Sequence, residues 1–219
     1  MVQKGESKRR GRPRSYDPEQ ALQQIMEAFW KTGYSGTSLD DLSDATGLNR
    51  PSLYAAFGDK RATYLKALAH YQQLAAGPIG AALSSGDPLC DVLMRVYRAM
   101  LCLYFSPEGE PRGCFVIGTA TTEALEEPEI RAVLMSGLRQ LDASFASCIE
   151  AARQCGEISA NSSTAALAAL ASATLYSLAI RARAGASRDE LEELAQGATA
   201  VICGRHTIKP ASLSCETGR

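Results

Sequence analysis

Residues 39–60 read LDDLSDATGLNRPSLYAAFGDK, and the punctuation of this stretch decides the fold. Leu39, Leu42 and Ala45 share one face of a helix that Ser38 is placed to cap, with Asp40 and Asp41 in the first turn, where the helix dipole favours negative charge. Gly47 supplies a residue free to take the left-handed conformation that closes a helix, and Leu48 packs back under the turn. Asn49 is placed to cap a second helix, and Pro51 falls in its first turn, where a missing N–H costs nothing. Leu53, Ala56 and Phe57 recur at the spacing of a buried helical face, which leaves Arg50, Ser52, Tyr54 and Ala55 to project elsewhere. Gly58 and Asp59 end it. Two short helices hinged at a glycine, with a basic residue opening the second, have the layout of a helix-turn-helix.

The flanks extend the helical reading. Upstream, Asp17-Pro18 opens a helix to about Lys31, with Leu22, Ile25, Met26 and Phe29 at core spacing, and Gly33 stops it. Downstream, a helix from Asp59 or Lys60 carries Tyr64, Leu65, Leu68 and Tyr71 toward Leu83, and Gly77-Pro78 is expected to interrupt or kink it. After Ser84-Ser85-Gly86, a helix from Asp87-Pro88 runs through Val92, Val96 and Met100 to about Phe105. Ser106 to Arg112 reads as a loop, Gly113 to Leu125 as a helix, and Glu127-Pro128 as the start of a longer one through Ile130, Leu134, Leu141, Phe145 and Ile149. Ser162 or Ser163 caps an alanine-rich helix to about Ala184, and Ser187 caps the last, through Leu191, Leu194, Ala198 and Ile202. No strand-like alternation of useful length interrupts the series, so the expected class is all-α.

The residues from Gly33-Tyr34 through Gly36-Thr37-Ser38, Leu42, Gly47, Ser52-Leu53-Tyr54, Phe57 and Lys60 to Tyr64-Leu65 resemble the TetR family of bacterial transcription regulators. Ser43 stands where the family more often has alanine, and Ala56 where an aromatic residue or histidine is common. The match covers roughly the first third of the chain, and the remainder resembles the family in its helical character. The resemblance implies an N-terminal three-helix helix-turn-helix module followed by a larger helical ligand-binding and dimerisation domain. Its divisions would be a basic arm over 1–16, disordered without DNA, a DNA-binding domain over 17–62, a ligand-binding and dimerisation domain over 63–204, and a flexible tail over 205–219. The function implied is that of a repressor released from its operator by a small molecule.

Arg50, long, charged and first in the second helix, suits either the O6 and N7 edge of a guanine or a phosphate. Ser52 suits a base or a phosphate, while Pro51 and Ala55 suit a thymine methyl. By the resemblance, Tyr54 places its hydroxyl on a phosphate, Lys60 does the same from the start of the next helix, and Thr37 or Ser38 adds a third anchor. Ahead of the module, Lys4 to Arg14 reads KGESKRRGRPR, six basic residues and one acid. Such a block is a solvated tail, or an arm in which Arg9, Arg10, Arg12 and Arg14 follow phosphates or enter a minor groove. Residues 1–66 hold 11 Lys or Arg against 8 Asp or Glu, a net +3, so with −1 overall the remainder carries −4.

One module offers little area, so a homodimer on a palindromic double-stranded operator is expected, with half-sites about one helical turn apart. Its surface is assigned to the last two helices. Small residues from Ala165 to Ala171 permit close approach around Leu167 and Leu170, and Leu175, Leu178, Leu194 and Ile202 supply apolar area unless they face the core of one subunit. By the resemblance, an unknown small-molecule effector enters a pocket in the larger domain, where its binding moves the fourth helix and spreads the recognition helices. Candidate lining residues are Tyr97, Met100, Leu101, Tyr104, Cys114, Phe115, Thr119, Phe145 and Tyr176, all equally suited to plain core. Cys114 follows Arg112-Gly113 at a helix start, where dipole and guanidinium would favour the thiolate of an oxidant or electrophile sensor; a buried helix-start cysteine is the alternative.

Seven cysteines (90, 102, 114, 148, 155, 203, 215) lack CxxC pairing and accompany only two histidines, His70 and His206, so no metal or cofactor is expected. Most of the cysteines read as small buried hydrophobes. No nucleophile–base pair or phosphate loop supports a rival class, an all-helical enzyme or ligand carrier, and enzymatic activity is not expected. No apolar run is expected to approach the roughly 20 residues of a membrane span. The basic N-terminus, followed by Asp17-Pro18-Glu19, does not read as a secretory signal. A cytoplasmic protein without a membrane partner is therefore expected.

Overall fold

The computed structural model describes residues 16–205, and these form nine α-helices: α1 (Pro18–Gly36), α2 (Leu39–Thr46), α3 (Arg50–Phe57), α4 (Lys60–Leu83), α5 (Leu89–Tyr104), α6 (Phe115–Glu123), α7 (Pro128–Gln154), α8 (Thr164–Arg183) and α9 (Arg188–Ile202). The class is all-α, an N-terminal helix-turn-helix followed by a larger helical body. Arg9, Arg10, Arg12 and Arg14 of the basic arm lie outside the described residues, as does the expected tail beyond Arg205.

The caps are those the sequence foretells. Asp17 accepts from the backbone N–H groups of Glu19 and Gln20, Asn49 from Ser52, Asp59 from Ala62 and Ser163 from Ala166. Ser38 and Ser187 form reciprocal capping boxes with Asp41 and Glu190. Gly33, at φ +76°, breaks the helical path inside α1, and Gly47, at φ +67°, closes α2. Of the interruption or kink expected at Gly77-Pro78, the interruption does not occur: α4 carries Pro78 inside it. Pro78 has no N–H for the Leu74 carbonyl, but Leu74 and Pro78 are both exposed, so water can serve that carbonyl.

An aromatic cluster binds the helix-turn-helix to the body. Phe29 and Trp30 of α1 meet Tyr64 and Tyr71 of α4 at ring-centroid distances of 5.0 and 5.2 Å, both edge-on. Phe115, first residue of α6, lies 5.5–5.9 Å from Trp30, Tyr71 and Tyr64. Each such pair adds about 0.5–1.5 kcal/mol beyond burial. Phe29, Tyr64 and Phe115 are fully buried. α4 crosses from the module to the body as one rod of about 36 Å at 1.5 Å per residue, and residue 62 falls inside it.

In the body α4 packs on α5 and α7, α7 on α8, and α8 on α9, while α5 closes against α8 and α9. Among the described residues α8 is long and apolar enough to cross a membrane by length and composition, which corrects the expectation that no run comes near that limit. Its inner face lies against four other helices. A second correction concerns the cysteines. Cys90 on α5 and Cys203 at the end of α9 pair with Cα atoms 6.2 Å apart, a span disulfides bridge, whereas Cys102 and Cys155 are exposed rather than buried.

Candidate DNA-reading face and cavity

The outer face of α2 and α3 is built by burying the other one. Leu42, Leu53 and Phe57 turn inward, which leaves Arg50, Pro51, Tyr54 and Ala55 exposed and Ser52 half-buried on the outer side. Tyr54 is 59% exposed, an unusual setting for a large aromatic side chain with no core to fill. Lys60, at the first turn of α4, holds its ammonium 4.6 Å from the centroid of the Tyr34 ring and 3.5 Å from the Ser35 carbonyl oxygen. Lys66 closes the back of α3, donating to the carbonyls of Ala56 and Phe57 at 3.1 Å. Arg50 is engaged: its Nε donates to Asp40 Oδ1 at 2.7 Å and its Nη2 to Oδ2 at 2.5 Å. This hydrogen-bonded guanidinium holds the Asp40 carboxyl below its ordinary range. Sequence reasoning gave Asp40 a role only toward the helix dipole; its spacing of ten residues from Arg50 has no helical period to reveal the pairing.

Of the two residues expected to offer a third anchor, Thr37 has its side chain turned inward. Its side chain is 1% exposed, and its hydroxyl donates to the Gly33 carbonyl at 2.6 Å and shares a 2.7 Å hydrogen bond with Thr32. That hydroxyl closes the break that Gly33 makes in α1. Ser38 is exposed, with its hydroxyl in the capping box with Asp41.

The second site is a cavity of about 320 Å³ between α4, α5, α7 and α8, roofed by the start of α6. Met100, Tyr104, Cys114 and Tyr176 line it as expected. Tyr97, Leu101, Phe115, Thr119 and Phe145 do not; they are core. Tyr97 donates to the Ala171 carbonyl, Thr119 shares a 2.6 Å hydrogen bond with Tyr64, and Leu101, Phe115 and Phe145 are fully buried. Helical periodicity finds the inward faces but does not say which parts of them meet without filling the space. The missed walls are chiefly on α4 and α7, including Tyr71, Gln72, Ile79, Leu134, Gln140 and Leu141.

Among the described residues no charged side chain lines this cavity. Its polar groups are phenols, two glutamines, Ser144 and a thiol. The Tyr176 hydroxyl is buried without a hydrogen-bond partner among the described residues, and burial pushes its pKa up to about 12. Cys114 stands at the N-cap of α6 without a side-chain cap hydrogen bond, and of its two readings the buried helix-start cysteine fits the surroundings. The Arg112 guanidinium turns away to the Glu27 carboxylate at 2.8 and 2.9 Å, and burial pushes the Cys114 thiol up rather than down. Tyr71 donates to its sulfur at 3.3 Å.

Arg112 and its neighbours join the two sites. Its guanidinium lies 3.9 Å from the centroid of the Trp30 ring, and its carbonyl accepts from the Trp30 indole N–H at 3.2 Å. Arg183 of α8 donates to the carbonyls of both Trp30 and Arg112. A single residue separates Arg112, which makes this clasp on α1, from Cys114 in the cavity wall. Between them Gly113, at φ +69°, sits so close to α8 that a Cβ would lie 2.5 Å from the Ala179 carbonyl oxygen.

Comparison with known proteins finds two family matches in the chain. Residues 21–65 match the family model described as bacterial regulatory proteins, tetR family, and residues 93–198 match the tetracyclin repressor-like C-terminal domain. The chain is 31% identical over 188 residues to the HTH-type transcriptional repressor ComR of Escherichia coli (strain K12), covering 86% of this chain and 90% of the relative. The HTH-type transcriptional repressor BdcR of the same strain is 35% identical over 117 residues, 53% of this chain and 59% of that relative. Among solved structures, a cysteine mutant of the TetR family transcriptional regulator CifR, complexed with 26bp double-strand operator DNA, superposes with a TM-score of 0.79 at 30% identity, covering 86% of this chain and 98% of that one.

Proposed function

The chain belongs to the TetR family and is a DNA-binding regulator of transcription, and on that premise we propose that it is a dimeric repressor released from its operator by a neutral, largely apolar small molecule. The observation that carries the ligand class is the uncharged wall of the cavity. An ionised ligand would lose its hydration there without gaining a counter-charge, whereas a neutral one with a single polar group would gain apolar contact and a partner for the Tyr176 hydroxyl. Arg50, Ser52, Pro51 and Ala55 face the bases, and Tyr54 and Lys60 hold phosphates; the burial of Leu53 and Phe57 on the opposite side supports that orientation. The relatives named as repressors support repression.

Release runs through two elements. α4 reaches from Lys60 beside α3 to the cavity wall at Tyr71–Leu83, and the 112–114 segment reaches from the Trp30–Glu27 clasp to the same wall. A ligand that displaces either one favours a different setting of α1 and of the reading helices, which is the differential interaction that allostery requires. Dimerisation is assigned to α8 and α9. Here the sequence reading is corrected in detail: Leu175, Leu178 and Ile202 face their own core, whereas Leu170, Ile180 and Val201 are 39%, 58% and 49% exposed, beside exposed Ala166, Ala169 and Ala173.

The test uses genomic DNA fragments selected by the purified protein. Fluorescence anisotropy on a selected fragment is followed during titration with neutral aromatic and aliphatic compounds and with their carboxylate and ammonium analogues. Release by neutral members alone is expected. Release by charged members alone contradicts the ligand class.

A further inference from the structure

We propose that Asp40 is a specificity-determining residue: its carboxylate fixes the Arg50 guanidinium so that the outward edge of the fork is aimed at one base. The inference rests on reading Arg50 as a base contact and deepens it. A guanidinium carries five N–H groups, one on Nε and two on each terminal nitrogen. Asp40 takes one from Nε and one from Nη2, the inward edge. Among the described residues both Nη1 donors and the second on Nη2 stay free, and one N–H of Nη1 with that of Nη2 forms the planar pair that matches guanine O6 and N7.

The surroundings fit this role better than a structural one. The two side chains are 61% and 65% exposed, in a setting where an ion pair adds little to stability. Neither is needed to cap its helix, since Ser38 with Asp41 caps α2 and Asn49 caps α3. The pair instead spans the turn, from the first turn of α2 to the first residue of α3, and restrains the one long basic side chain on the outer face of that helix. An arginine held in place loses less rotamer freedom on reaching its base than a free one. A carboxylate next to DNA would also repel phosphates, so a plain brake on affinity is the competing consequence of the same geometry.

The two are separated by selecting bound sequences from a randomised duplex library at fixed salt, using full-length protein and its Asp40→Ala, Asp40→Asn, Arg50→Ala and Asp40→Ala/Arg50→Ala variants. Asp40→Asn keeps the side-chain volume and serves if Asp40→Ala fails to fold. The expected result is that both Asp40 variants lose discrimination at the base position that Arg50→Ala relaxes, by about tenfold, and that the double variant loses no more than Arg50→Ala alone. A uniform rise in affinity with unchanged base preference overturns the inference and leaves Arg50 as a reader. No change of preference in Arg50→Ala overturns both readings.

Discussion

Tyr54 and Lys60 stand on either side of the tight turn at Gly58, and the proposal gives both of them phosphates rather than bases. Tyr54→Phe and Lys60→Ala should then weaken binding to all sequences alike, and Lys60→Ala should lower the slope of log K against log salt by about 1. Anisotropy titrations at several salt concentrations measure both effects; an altered base preference in either variant would contradict the assignment. Thr37 belongs to folding instead. Thr37→Val keeps the shape and removes a hydroxyl that bonds Gly33 and Thr32, so denaturant unfolding should show a loss of about 1 kcal/mol with no change in salt slope. For Cys114, burial raises the thiol while Cys102 and Cys155 lie exposed, so mass spectrometry after brief alkylation of the native protein should find Cys102 and Cys155 modified well ahead of Cys114. Early modification of Cys114 would restore the sensor reading. At this scale the sequence showed residue types and caps well, because a cap acts within three residues. It did not show that Thr37 points inward or that Arg50 has a carboxylate partner, since both depend on how separate segments meet.

The segment from Phe105 to Cys114 and the rod α4 are the elements that link module to body. Gly113 combines a positive φ with a wall of α8 backbone, so Gly113→Ala should destabilise by on the order of 3 kcal/mol, against about 1 kcal/mol for Gly109→Ala, where the space is open. Thermal or denaturant unfolding of the two variants makes the comparison. Arg112→Lys tests the clasp more directly, because lysine has neither the planar fork that grips Glu27 nor the face that lies over Trp30. Operator affinity without ligand should stay within about threefold, while the concentration of a releasing compound needed to free DNA should shift by about fivefold or more. Equal release by both proteins would leave α4 as the sole route. Periodicity and punctuation made the number and order of helices legible, with ends displaced by a few residues. They left interruption and kink open at Pro78, where exposure to water lets the helix continue, and they failed at the cavity, which is a shortfall of packing that no periodicity encodes.

For the whole molecule, the outer face of α3 carries one long basic side chain, Arg50, and with the proposed phosphate roles of Tyr54 and Lys60 the proposal makes affinity depend on joining two such faces. The proposed dimer places the exposed apolar residues of α8 and α9 in that union, so analytical ultracentrifugation should show a dimer for the parent protein and monomers for Ile180→Glu. The division of charge, net positive through residue 66 and negative beyond, favours approach to DNA by the module end. The central claim is that α2 and α3 of two copies read one symmetric operator. Footprinting on fragments enriched from genomic DNA tests it most directly: the account predicts an inverted repeat with half-site centres about one helical turn of DNA apart, protected by two chains and lost in Arg50→Ala, whereas an asymmetric site filled by one chain, or protection untouched by that substitution, would contradict it.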